Sequence, residues 1–146
     1  MSWFNYFGLI AVVIILVPNV VSAIIDKCSF ANSYHNKVMI ALEQIGRYGC
    51  MAFMIFNVPY TYFNFWFQDA LAVYLIVNGA LLALYILGWI VLRKSHGAVK
   101  ILWLSTVPTA LFLFSGIMLL SIPLIVFALI FGVGHITVSW KNRQQE

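Results

Sequence analysis

Residues 99–140 read VKILWLSTVPTALFLFSGIMLLSIPLIVFALIFGVGHITVSW, and how this run is divided decides the fold. Lys100 is its only charged residue apart from the titratable His135. A hydrocarbon core about 30 Å thick needs roughly 20 apolar residues as helix, so the run is far longer than one crossing. Ser121-Ile122-Pro123 is the natural break. Proline disfavours a helical residue before it and cannot donate the N–H that a helix interior requires. The division predicts a helix over about 99–120 and a short one over about 124–140, near the lower limit of roughly 17 residues.

Working outward, Phe4 to Ile25 and Ala70 to Leu92 are two further uncharged spans, and one more falls between Asn36 and Phe67. The expectation is an all-α membrane protein, a five-helix transmembrane bundle forming a single domain over 1–146. Composition agrees. Apolar side chains make up 64% of the chain and charged ones 8%, against about 45–50% and about 25% in soluble domains. The basic excess of +4 flanks hydrophobic runs. It does not gather on one solvated face as a nucleic-acid reader would require, so no nucleic-acid partner is expected.

The distribution of cations predicts orientation. The tail Met1-Ser2-Trp3 has none; Lys27 and Lys37 lie between the first two spans, Arg93, Lys94 and Lys100 between the third and fourth, and Lys141 and Arg143 after the fifth. Cytoplasmic segments carry the excess of Lys and Arg. Five helices with the N-terminus outside and the C-terminus cytoplasmic place all eight basic residues inside, counting Arg47 at the mouth of helix 2. Val21-Ser22-Ala23 looks like a signal-peptidase site, but no positive charge precedes the apolar segment, so an uncleaved first helix is expected. Cys28 and Cys50 have no CxxC spacing and fall on or near the reducing side, where a disulfide is not expected.

Helix 2 has two possible registers. A crossing over 38–58 puts Arg47 near the midplane, at about 2.5–3.5 kcal/mol before pairing. A crossing over 46–67, with an interfacial extension from 36, leaves Arg47 at the headgroups and Asn57 at the midplane. The second is the expectation, with Tyr60, Tyr62, Trp66 and Trp3 as an outer aromatic belt. Glu43 and Arg47 are four apart and can pair in the favourable acid-first order. Gly46 and Gly49 leave a groove in which another helix can approach closely.

The remaining spans carry Pro18-Asn19, Asn78-Gly79-Ala80, Ser105-Thr106-Val107-Pro108-Thr109 and Gly132-Val133-Gly134-His135. Ser105, Thr106 or Thr109 can re-satisfy carbonyls around Pro108. On the plain reading the Glu43–Arg47 pair neutralises itself and His135 makes an interhelical hydrogen bond. On the sharper reading Arg47, Glu43, Gln44, Asn19 and His135 form a ligand-binding site in the cytoplasmic half, for an anionic or polar ligand. No metal or other cofactor is expected: the histidines lack ligand spacing, and Cys50-Met51 with Met54, soft enough for Cu(I), more often packs as core. No HExxH, GxSxG, P-loop or paired intramembrane aspartates occur, so no catalytic residue is assigned.

Asn36-Lys37 through Leu42-Glu43-Gln44-Ile45-Gly46-Arg47, Gly49-Cys50, Met54 to Tyr60, Ser115-Gly116-Ile117-Met118 and Ser121-Ile122-Pro123 resemble a group of small integral membrane proteins of low-GC Gram-positive bacteria, for which no activity is known. The resemblance implies a multi-pass protein of the bacterial plasma membrane and no mechanism. The partners expected are the lipid bilayer and either another membrane protein or a second copy. An accessory or interaction protein is the first functional expectation, a small transporter or solute-binding membrane subunit the second, and a membrane enzyme acting on a lipid the third.

Overall fold

The computed structural model describes residues 3–25, 36–58, 64–92 and 98–143. They form five helices and no sheet: α1 (Tyr6–Ile25), α2 (Lys37–Ile55), α3 (Ala70–Val91), α4 (Ala98–Met118) and α5 (Ile122–Arg143). Four of them, α2 to α5, are long and apolar enough to cross a membrane, and α1 carries a shorter apolar stretch, Tyr6–Val21. The outer surface fits the same reading. Ile24, Ile76, Ile90, Val91 and Val133 are all more than 60% exposed, and helices apolar on every side are stable only in a large core or in lipid. The chain is a multi-pass membrane protein.

The helices run up and down. Gly134 of α5 lies against Glu43 of α2, and Gly46 and Gly49 against Phe131 and Phe127, so the two helices are antiparallel. Asn78 meets Ser115 and Gly88 meets Trp103, which makes α3 and α4 antiparallel as well. At one end α2 and α4 begin with Lys37 and Lys100 in their first turns, and α5 finishes with Lys141 and Arg143. The opposite end holds the start of α1 and Asp69, just ahead of α3. The enclosed core joins α2, α4 and α5 through Cys50, Met54, Leu111, Phe112, Leu124 and Ala128.

Local chemistry explains the boundaries. Asn36 caps α2, its Oδ1 accepting from the amides of Val38 and Met39 at 3.1 and 3.4 Å, two of the donors that a helix start leaves free. The α4–α5 corner is a Schellman-type stop. The Ser121 amide reaches back to the Gly116 carbonyl at 2.9 Å, and Leu120 takes the left-handed conformation at φ 51°, a position usually given to glycine. Pro123 then falls in the first turn of α5, where a missing N–H is harmless.

Two sequence expectations change. Helix 2 does not span 46–67; it occupies Lys37–Ile55, close to the other register. Phe56 leaves the helix with φ −108° and ψ 131° and forms an antiparallel bridge with Phe4. The Asn5 amide donates to the Ile55 carbonyl at 2.7 Å and the Asn57 amide to the Trp3 carbonyl at 2.8 Å. This pairing satisfies backbone groups that a helix would otherwise carry on, and Pro59 favours an extended residue before it. Trp3 stacks on Phe56 at this end, and Trp66 is 57% exposed there; Tyr60 and Tyr62 lie outside the described residues. Helix 5 is longer than expected, 22 residues over Ile122–Arg143: it starts two residues earlier because Pro123 is accommodated inside its first turn, and it runs three residues past Trp140.

Around Pro108, the Ser105 hydroxyl donates to the Ile101 carbonyl at 2.7 Å and Thr109 to the Ser105 carbonyl at 2.9 Å. Both carbonyls flank that of Leu104, the one a proline at 108 frees. Beside Pro18, the side-chain Nδ2 of Asn19 donates to the Ile15 carbonyl at 3.1 Å.

Candidate functional site

Glu43 is the centre of a three-residue ionisable cluster. Its spacing from Gly46, Cys50 and Met54 puts it on the buried face of α2, and its side chain is 7% exposed. One oxygen, Oε1, accepts from Arg47 Nη2 at 2.5 Å and faces His135 Nδ1 at 2.8 Å. An ionised carboxylate only accepts, so the tautomer that suits this contact is the one with the proton on His135 Nδ1. Arg47 and His135 keep 34% and 20% of their side chains exposed. The acid is buried, and the two basic side chains that share it are partly exposed.

Helix contact makes this possible. Gly46 packs against the Phe131 backbone and Gly134 against that of Glu43, so α2 and α5 nearly touch along the cluster. Phe131, one turn before His135, stacks on its ring at a centroid distance of 4.7 Å, fixing the imidazole plane. Arg47 lies ten residues past Lys37, about 15 Å along the axis. Its guanidinium turns back to Glu43, one turn nearer the basic end, as helical side chains do when they slant toward the N-terminus.

Of the five residues named from sequence, three are brought together: Glu43, Arg47 and His135. Gln44 is half-buried and, as the next residue along α2, points about 100° away. Asn19 belongs to another seam, accepting from the Tyr85 hydroxyl of α3 at 3.2 Å. Tyr85 is itself within electrostatic reach of Arg47, so Asn19 touches the cluster only at second hand. Of the soft-ligand candidates, Cys50 and Met54 are fully enclosed in the apolar core and Met51 packs half-buried against it. Among the described residues no three His, Cys, Asp or Glu side chains gather as a metal site.

Sequence reading missed a second polar network, in the half of the bundle away from the basic end. Asn5 Nδ2 donates to the Met54 carbonyl at 3.1 Å and to the Tyr74 hydroxyl at 3.3 Å. The Ser115 hydroxyl donates to Asn78 Oδ1 at 3.0 Å. The signal was present: Ala70, Tyr74, Asn78, Tyr85 and Gly88 recur at helical spacing and are the buried stripe of α3. Hydroxyls and an amide on such a stripe announce interhelical hydrogen bonds.

Comparison with known proteins gives no identity to carry over: no protein family, curated protein or solved structure matches the chain.

Proposed function

We propose that this protein is a solute-binding or transport subunit of the bacterial plasma membrane, crossing it five times with the N-terminus outside and the C-terminus in the cytoplasm. Its working site is the Glu43–Arg47–His135 cluster, open toward the cytoplasmic side. The orientation rests on the clustering of Lys37, Lys100, Lys141 and Arg143 at one end and on the positive-inside bias. The plasma-membrane assignment rests on the resemblance stated above.

One observation carries the functional reading: a sealed carboxylate holds two partly exposed nitrogen groups side by side. Stability does not call for this arrangement. Each ionisable group within a span costs about 2.5–3.5 kcal/mol before pairing, and buried ion pairs are often replaced by apolar residues without loss. The glycine contacts would hold α2 to α5 with apolar neighbours just as well. Among the described residues Arg47 directs one of its five N–H donors to Glu43, and the others, with His135, would serve an anionic or polar ligand.

The test is a stability screen of the purified protein with phosphate, sulfate and small carboxylates, read as a shift in unfolding temperature. A ligand bound at a hundred times its Kd adds about 2.7 kcal/mol. At least one of these anions should stabilise the wild type and lose its effect in Arg47→Gln. A panel without effect on the wild type, or an effect unchanged in Arg47→Gln, sinks the reading.

An accessory role is the second reading, favoured by the outer face of α3. Ala72, Gly79, Ala80 and Ala83 are exposed there, and a Cβ at Gly79 would meet nothing within 4 Å. Small residues on a lipid-facing stripe allow a second helix to approach closely.

A further inference from the structure

Between α1 and α3 lies a cleft of about 120 Å³ that the ionisable cluster does not use. Phe7 and Ile10 form one wall and Leu75, Gly79 and Leu82 the other, with Asn78 as part of the lining. Phe7, Ile10 and Leu75 are 46%, 56% and 39% exposed, so the mouth opens on the lipid-facing surface. Asn78 itself is 4% exposed. Its Oδ1 accepts from Ser115 at 3.0 Å, while among the described residues its Nδ2, itself buried, has no hydrogen-bond partner.

A buried donor in hydrocarbon is costly until an acceptor meets it. Depth narrows what that acceptor belongs to. Asn78 stands eight residues past Ala70, about 12 Å along a helix of roughly 33 Å. That is close to the midplane, roughly 10 Å below the level of phospholipid ester carbonyls at the edge of a 30 Å core. Headgroups and water-soluble ligands are excluded by the same distance. The occupant must dissolve in the hydrocarbon and bring a polar oxygen with it. At about 120 Å³ the cleft is smaller than the roughly 150 Å³ cavity that takes up benzene, so it holds part of a ring and leaves the rest in lipid. The two aromatic side chains lining it, Phe7 and Tyr74, suit a ring.

We propose that the cleft binds a lipophilic ring compound carrying a carbonyl, of the alkylated quinone class, with Asn78 Nδ2 donating to the carbonyl after a small turn of the amide. Gly79 lines the cleft at an exposed position, and a side chain there starts in open space beside it. The site is independent of Arg47.

The test uses the full chain in nanodiscs, titrated with decyl-benzoquinone and with decylbenzene, which has a six-membered ring and the same tail but no carbonyl. One intramembrane hydrogen bond predicts a preference of about threefold to twentyfold for the quinone in the wild type. Asn78→Leu should bring the two affinities together. Gly79→Leu, placed where a Cβ meets open space, should abolish binding of both without unfolding the bundle. Arg47→Gln should leave both unchanged. Equal affinities in the wild type, a preference that survives in Asn78→Leu, or binding that survives in Gly79→Leu overturns the proposal. So does disulfide dimerisation of Gly79→Cys in membranes, which would show a second copy covering the entrance.

Discussion

Gly134 packs directly on the backbone of Glu43: a Cβ at position 134 would stand 2.8 Å from the Glu43 nitrogen and 2.9 Å from its Cα. Backbone cannot rotate out of the way as a side chain can, so α2 and α5 must separate to admit even a methyl group. Gly134→Ala is expected to destabilise the protein by about 1–3 kcal/mol, the usual cost of overpacking. Gly79→Ala supplies the contrast, since nothing lies within 4 Å of a Cβ there. It should be neutral or stabilising by up to about 1 kcal/mol, through the lower backbone entropy of alanine. Thermal unfolding of both variants in one detergent measures the difference. Equal effects would show that the close approach is not real.

The carboxylate of Glu43 is the shared partner of Arg47 and His135, so its removal should hurt more than the removal of the pair. Glu43→Leu leaves a guanidinium in a membrane span with no counter-charge. The Glu43→Leu, Arg47→Leu double variant leaves none. The single change is expected to cost about 3–5 kcal/mol, less whatever solvent reaches the partly exposed Arg47, and the double change clearly less. Denaturation of the two variants and of Arg47→Leu completes the cycle. Additive losses would mean that the two side chains are not coupled.

Helix number, the α3 and α4 spans and the basic end were legible because they depend on apolar runs and charge position, properties carried by single residues. Glu43 with Arg47 was legible because the four-residue spacing is local. The partner of His135 was not, since two residues on helices distant in sequence share a site only through the packing of Gly46 and Gly134. The end of α2 was misjudged for a related reason. An apolar sequence with a proline reads as a kinked helix, and the competing backbone bonds come from Trp3 and Asn5, far upstream. Asn19 failed differently: helical spacing placed it at the right depth but could not choose between α2 and the Tyr85 hydroxyl of α3.

Opposite ends of the bundle should be labelled from opposite sides of the membrane. Asn64 is exposed beside the Leu119 carbonyl, to which its amide donates at 2.9 Å, and Lys141 is exposed in the last turn of α5. In a chain lacking Cys28, with Cys50 buried, an impermeant maleimide applied to intact cells should modify Asn64→Cys and not Lys141→Cys. Permeabilised cells should label both. Labelling of Lys141→Cys alone in intact cells would invert the orientation, and labelling of both would overturn the assignment of opposite faces.

The Asn19–Tyr85 contact joins two parallel helices, α1 and α3, whose seam also holds the cleft. The Tyr85 hydroxyl donates to Asn19 Oδ1 at 3.2 Å, while Asn19 Nδ2 is bound to the Ile15 carbonyl in its own helix. Tyr85→Phe keeps the ring in its buried position, 2% exposed, and removes the hydroxyl, which also meets the side chain of Trp89. Interhelical hydrogen bonds inside membranes average about 0.6 kcal/mol and reach about 1.7, so a loss in that range is expected. Asn19→Leu should remove the same bond together with the one that braces α1 after Pro18, and so cost more. The two changes combined should cost less than the sum of the two alone, because the Asn19–Tyr85 bond can be lost only once. Unfolding of the three variants decides it: a double variant weaker by the full sum would place Asn19 and Tyr85 apart.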